Sequence, residues 1–275
     1  MGTRLSVKNI AFSYTRRMED AVFRDVGFSV QSGEVFCLLG PNGTGKSTLL
    51  KCLMNILRPQ QGLIELDGKD LSALGASKIA KKVAYVPQTQ VSAFPFSIRE
   101  IVVMGRAPHL SLLASPSAKD LEIASKAMEG VGVSHLADRS CNSVSGGEWQ
   151  LTLIARALAQ EPEILLLDEP TSHLDIANQM KILQVVKNLS DKGLTILMAS
   201  HFPDHALLVS TVVAILNQGR LAYQGVADEV ITEKNLRQTY GVNVKILYVG
   251  EGVDRKVCLF PSLQNTRSPL TATGG

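Results

Sequence analysis

Gly40-Pro41-Asn42-Gly43-Thr44-Gly45-Lys46-Ser47-Thr48 fits the pattern G-x-x-x-x-G-K-[ST] at every defined position. The residue types state the chemistry. Gly43 and Gly45 let the main chain wrap an anion where a side chain would block close approach. Lys46 is spaced to reach the outer phosphates of a nucleotide, and the Ser47 hydroxyl to ligate Mg2+. A second cradle, Ser145-Gly146-Gly147-Glu148, lies just ahead of a helical stretch, where exposed N–H groups and the positive end of the helix dipole attract anions. One nucleotide has one terminal phosphate. Two cradles on one domain therefore suggest that each site is finished by a second copy of the chain.

Between these motifs and the C-terminus stand further groups able to do chemistry. The apolar run Ile164-Leu165-Leu166-Leu167 ends in Asp168 and Glu169, at the strand edge where ligands collect in α/β sheets. Adjacent strand residues point opposite ways, so the two carboxylates can take different tasks. Gln88 follows a short strand and Pro87, while His201 follows the apolar strand that ends at Ser200. Tyr14 closes Ala11-Phe12-Ser13-Tyr14, and Asp175 closes Ser172-His173-Leu174-Asp175. Taken singly, each has an ordinary reading: a glycine turn, solvated acids, a surface glutamine, a structural histidine, a core aromatic. His109, His135, His173 and His205 are read as ordinary residues.

The elements that must position these groups are legible from periodicity. Alternation over 5–10 and 26–30 reads as antiparallel strands. Residues 35–39 form a short apolar run, the kind of strand buried on both faces of a sheet, and it feeds the glycine loop and a helix over 47–56. Asp67-Gly68 marks a hairpin turn, and 83–86 a short strand. From 97 to 136 the apolar residues recur at three and four, which points to an inserted helical subdomain. A helix over 148–159, a strand over 164–167, a helix over 176–189 and a strand over 194–199 follow. Strands separated by helices imply parallel pairing in a doubly wound α/β core. A hairpin closes 212–223 around Asn217-Gln218-Gly219, and beyond Phe260 the composition turns to Ser, Thr, Pro and Gly, as expected of a frayed tail.

With 275 residues, 45% hydrophobic and 19% charged, the chain is long enough for a large core. Its formal charge of +3 comes without a long basic run and gives no case for nucleic acid. Cys37, Cys52, Cys141 and Cys258 are scattered, as for reduced thiols in a cytosolic protein. The longest apolar stretch, 207–216, is interrupted by Ser210 and Thr211 and is far short of the roughly 20 residues that span a bilayer. A pore, if one is served, belongs to another chain.

The phosphate loop, the serine-glycine-glycine signature, the Asp168-Glu169 pair and His201, in that order, resemble the ATP-binding subunit of an ATP-binding cassette (ABC) transporter over residues 3–245. The resemblance implies an α/β P-loop NTPase with a mixed sheet core, an antiparallel β subdomain, an inserted α-helical subdomain at about 97–160, and an extension with a flexible tail over 246–275. It implies ATP and Mg2+ as cofactors. By resemblance, 40–48 hold the nucleotide, Tyr14 stacks on adenine, and Ser47, Asp168 and Gln88 attend the Mg2+. Glu169 orients and deprotonates the attacking water, and His201 touches the γ-phosphate. Ser145, Gly146, Gly147 and Glu148 face the ATP of the opposite protomer, which Asp175 also touches. Two positions depart from the pattern: Val144 stands where leucine is usual, and Glu148, followed by Trp149, where glutamine is usual.

The segment Phe96-Ser97-Ile98-Arg99-Glu100-Ile101-Val102-Val103-Met104-Gly105-Arg106, with Ala177-Asn178-Gln179, is similar to ATPases of importers for iron-siderophores, haem and cobalamin, and in some relatives molybdate or tungstate. The implied partners are a second copy, an integral membrane permease and, indirectly, a periplasmic or lipoprotein substrate-binding protein. The implied location is the cytoplasmic face of the cell membrane. Two alternatives stay open: a soluble non-transport relative such as a cluster-assembly scaffold, and an exporter ATPase, which the lack of fused membrane helices disfavours.

Overall fold

The computed structural model describes residues 2–15, 17–88, 94–111, 114–249 and 256–262. Its strands are β1 (Thr3–Phe12), β2 (Phe23–Gln31), β3 (Val35–Leu39), β4 (Gln61–Leu66), β5 (Lys69–Asp70), β6 (Val83–Val86), β7 (Ile164–Asp168), β8 (Thr195–Ser200), β9 (Val212–Asn217), β10 (Arg220–Val226), β11 (Asn243–Val249) and β12 (Lys256–Ser262). Its α-helices are α1 (Lys46–Leu53), α2 (Ala76–Lys82), α3 (Ile98–Val103), α4 (Ala118–Val131), α5 (Gly146–Ala159), α6 (Ile176–Asp191), α7 (Pro203–Val209), α8 (Ala227–Val230) and α9 (Glu233–Tyr240).

The central sheet has the order β10-β9-β3-β8-β7-β6. From β9 to β6 every pairing is parallel, and β10 adds an antiparallel edge. A second, antiparallel sheet runs β2-β1-β4-β5. The apolar runs without polar alternation are explained by what lies on each face. In β3, Val35, Cys37 and Leu39 pack into one core with the helices, while Phe36 and Leu38 pack into another with the antiparallel sheet and α1. In β7 the same division puts Leu165 and Leu167 on the helical side and Ile164 and Leu166 on the other. A strand covered on both sides has no position for a polar residue until it leaves the sheet. That is why Asp168 comes last.

Helices α3, α4 and α5 each begin with a capping box, Ser97/Glu100, Ser117/Asp120 and Ser145/Glu148. The box explains a shift at α5, which starts at Gly146 rather than Glu148: the cap at Ser145 draws both glycines into the first turn. Helix α1 stops at Leu53, short of residue 56, as Asn55 turns left-handed (φ 56°). Helices α2, α7, α8 and α9 and the β11–β12 hairpin are additional to the sequence reading, and β11 spans the expected boundary at 245/246. The tail expected beyond Phe260 falls mostly on 263–275, outside the described residues. Cys37, Cys52 and Cys141 are free and buried, and the Cys258 side chain lies outside the described set.

Candidate active site

Helix α1 starts without a side-chain cap. Its N-cap is Gly45, left-handed at φ 100°, where an added Cβ would lie 2.7 Å from Val22 Cγ1. The first amides of the helix have no intrahelical acceptor, so the loop presents them, with the positive helix end, to an anion. Thr44 Oγ1 donates to Pro41 O at 2.9 Å and stiffens the loop. Lys46 is 4% exposed. Its Nζ donates to Gly40 O (2.8 Å) and Pro41 O (3.0 Å) and pairs with Glu169 Oε1 at 3.2 Å. An ammonium this deep needs such partners.

The two carboxylates at the end of β7 sit in different surroundings. Asp168 accepts from Ser47 Oγ on one oxygen and from the Tyr85 hydroxyl on the other, both at 2.9 Å. Burial pushes its pKa up, and the two hydrogen bonds only partly offset that. Glu169 leaves the strand with φ 49°, and its N–H donates to Ala199 O. Its Oε2 accepts from Gln88 Nε2 (3.1 Å) and Ser172 Oγ (3.0 Å) and lies 2.9 Å from His201 Nδ1. Burial acts to raise the Glu169 pKa, but the charge and hydrogen bond of Lys46, the bond from Ser172 and the nearby His201 outweigh it. The Glu169 carboxyl is thereby held ionised, below its ordinary value. Two adjacent acids pushed in opposite directions are suited to different roles.

Tyr14 lies beside this cluster, its hydroxyl 3.1 Å from Thr48 Oγ1 and its ring edge-on to Phe12 at 4.9 Å. Tyr14 is 62% exposed. The signature forms a separate unit. Glu148 Oε2 accepts from Ser145 N (2.7 Å) and Ser145 Oγ (2.8 Å), and Glu148 N donates back to Ser145 Oγ (3.3 Å). Gly147 packs so closely on α6 that a Cβ there would fall 2.4 Å from Asn178 Oδ1. Asp175 caps α6 by accepting from Asn178 N (2.8 Å) and Asn178 Nδ2 (2.9 Å). Among the described residues, no hydrogen bond or ion pair joins Ser145, Gly146, Gly147, Glu148 or Asp175 to 40–48, Asp168 or Glu169. The chain thus brings Lys46, Ser47, Gln88, Asp168, Glu169 and His201 together, with Tyr14 alongside. It holds the signature and Asp175 apart.

Sequence reasoning missed Tyr85 and Ser172, which orient the two carboxylates, and Thr171 with His205, a buried pair bonded at 3.0 Å. Ser172 has a signal in its spacing from Glu169. Tyr85 reads only as one residue of a strand.

Residues 23–172 match the ABC transporter family. The chain belongs to that family. This ABC ATPase is 35% identical over 269 residues to the iron(3+)-hydroxamate import ATP-binding protein FhuC of Bacillus subtilis, covering 97% of this chain and 98% of the relative. It is 36% identical over 237 residues to the molybdate import ATP-binding protein MolC of Haemophilus influenzae, covering 86% and 87% respectively. Among solved structures it is similar to an inward-facing metal-chelate type ABC transporter, with a TM-score of 0.84, 32% identity and coverage of 96% and 99%. The ABC ATPase is accordingly an ATP-binding transporter subunit that hydrolyses ATP, with the α/β fold expected. No helix among its described residues is long and apolar enough to cross a membrane.

Proposed function

We propose that this ABC ATPase powers import of a metal chelate of the iron-siderophore, haem or cobalamin type. Two copies close on two MgATP, hydrolyse them and reopen, driving a membrane permease supplied by a substrate-binding protein, with the ATPase on the cytoplasmic face. The observation that carries this reading is end-to-end similarity to an iron(3+)-hydroxamate import ATPase and to a metal-chelate type transporter. ATP moves such an equilibrium only through its different affinity for the closed and open states.

The residues support a specific sequence of events. Tyr14 offers an exposed ring for adenine, and 40–48 wrap the phosphates. Lys46, now on Glu169 at 3.2 Å, exchanges that partner for the β- and γ-phosphates and so frees Glu169 Oε1. Glu169, ionised and steered by Gln88, Ser172 and His201, then holds the attacking water and takes its proton. With Nδ1 kept on Glu169, His201 offers its other ring nitrogen to the γ-phosphate. Ser145 and Gly147 of one copy cap the γ-phosphate held by the other, with Gly146 and Glu148 completing that helix end, and Asp175 meets the opposite protomer. The helical segment 97–160 within the catalytic domain 3–245 carries the signature into place, and 246–275 extend beyond it. Ser47 Oγ and Asp168 Oδ1, 2.9 Å apart, are hard oxygens suited to Mg2+ beside phosphate and water, with Gln88 as a further ligand. Bound there, Mg2+ would neutralise phosphate charge.

A second reading, molybdate import, is favoured only by the molybdate relative. Reconstitution of the ATPase with its co-purified permease in vesicles decides between them. ATP-dependent uptake of ferric hydroxamate but not molybdate is expected. Uptake of molybdate alone would overturn the chelate reading, and a purely soluble complex would overturn transport.

A further inference from the structure

His205 stands in the first turn of α7, four residues beyond His201, which precedes the helix, and it is 4% exposed. Its Nδ1 is 3.0 Å from Oγ1 of Thr171, itself 2% exposed. Phe202 is wedged between the two histidines, its ring 3.9 Å from that of His201 and 4.7 Å from that of His205. Two residues leaving β7, Glu169 and Thr171, are thus each held by a histidine from the segment leaving β8. Thr171 is also tied to α6, since Gln179 Nε2 donates to Thr171 O (3.4 Å) and Leu174 O (3.0 Å).

We infer that His205 is a positioning residue: by clasping Thr171 it fixes α7 and, through Phe202, sets His201 on Glu169. The inference rests on the catalytic role proposed above for His201 and Glu169. Burial pushes the His205 pKa down, Asp204 pulls it up, and His201 pushes it down again, with a net lowering. That favours the neutral ring, and its bond to Thr171 satisfies a polar atom that would otherwise be costly to bury. Among the described residues, neither His205 nor Thr171 is hydrogen-bonded to the nucleotide loop. Loss of the clasp should therefore misplace the catalytic groups without removing a contact to ATP. Displacements of about 1 Å at such groups can cost on the order of a hundredfold in rate.

The test uses the full chain and steady-state ATP hydrolysis. His205→Phe and Thr171→Val should each lower kcat about tenfold or more while KM for ATP changes less than about twofold. The double variant should be no worse than the worse single one, as for two halves of one contact. His205→Asn, which keeps a polar atom near the Nδ1 position, should recover most of the lost rate. Normal kcat in Thr171→Val would overturn the inference, as would losses that multiply in the double variant or a failure of His205→Asn to recover activity. Thr171→Val probes the clasp from its other side even where His205→Phe fails to fold. His201→Ala separates the two levels: if it hydrolyses normally, the role of His201 fails. If it is inactive while Thr171→Val is normal, only the His205 inference fails.

Discussion

Helices α1 and α5 are the same device built in two ways. Both start at a glycine-rich segment and present a positive helix end. Helix α1 leaves that end uncapped, with Lys46 beneath it and the Ser47–Asp168 pair beside it. Helix α5 fills its own end: Ser145 caps Glu148 N, and the Glu148 carboxylate occupies the Ser145 amide and hydroxyl. One helix end has a cation beside it, while the other already carries an anion. The difference teaches that glycines and a dipole do not by themselves make equal phosphate sites. Side chains decide which helix end is left open to an anion and which is already filled from within.

Removing the cation of α1 should have the largest effect. Lys46→Ala is expected to abolish measurable ATP binding in calorimetry, because the buried ammonium is the positive charge beside the loop. Wild-type affinity in that variant would dissolve the contrast between the two helices. Glu169→Gln should keep ATP affinity and lower turnover on the order of a hundredfold or more; near-normal hydrolysis would remove Glu169 from its role.

The smaller effects lie at α5. Glu148→Gln keeps an acceptor for Ser145 but removes the negative charge from the anion-seeking end. In a Glu169→Gln background with MgATP, sedimentation should show a several-fold tighter dimer that depends less on salt. A weaker dimer would mean that the carboxylate itself is needed for closure. Ser145→Ala should cost about 1 kcal/mol of stability in denaturant unfolding, the usual loss of a helix cap. It should also weaken the ATP-dependent dimer while leaving monomer ATP affinity intact. Lost affinity in the monomer would place the signature in the chain's own site.

Much of this is written in local sequence. β3, β6 and β7 lie where apolar runs of four or five residues place them, and the phosphate loop falls between strand and helix as its spacing demands. Such features are local: a strand buried on both faces, or a glycine turn feeding a helix, is written in consecutive residues. Of the helices left unread, α9 carried readable ends in Thr232 and Gly241, whereas α2 and α7 have weak local signals. Only Ile79 is buried in the seven residues of α2, and α7 is seven residues long beginning at Pro203.

The side-chain arrangement of the site is another matter. Lys46 meets Glu169, Tyr85 meets Asp168 and His205 meets Thr171 only because parallel strands and the loops leaving them bring distant segments to one sheet edge. No period in the sequence records those pairings. The sequence alone determined which residues could bind phosphate and hold charge, since that depends on residue type and short-range spacing. Tertiary structure decided which carboxylate burial pushes up and which its neighbours hold down, and which histidine is buried. Those properties arise from burial and from neighbours supplied by other strands.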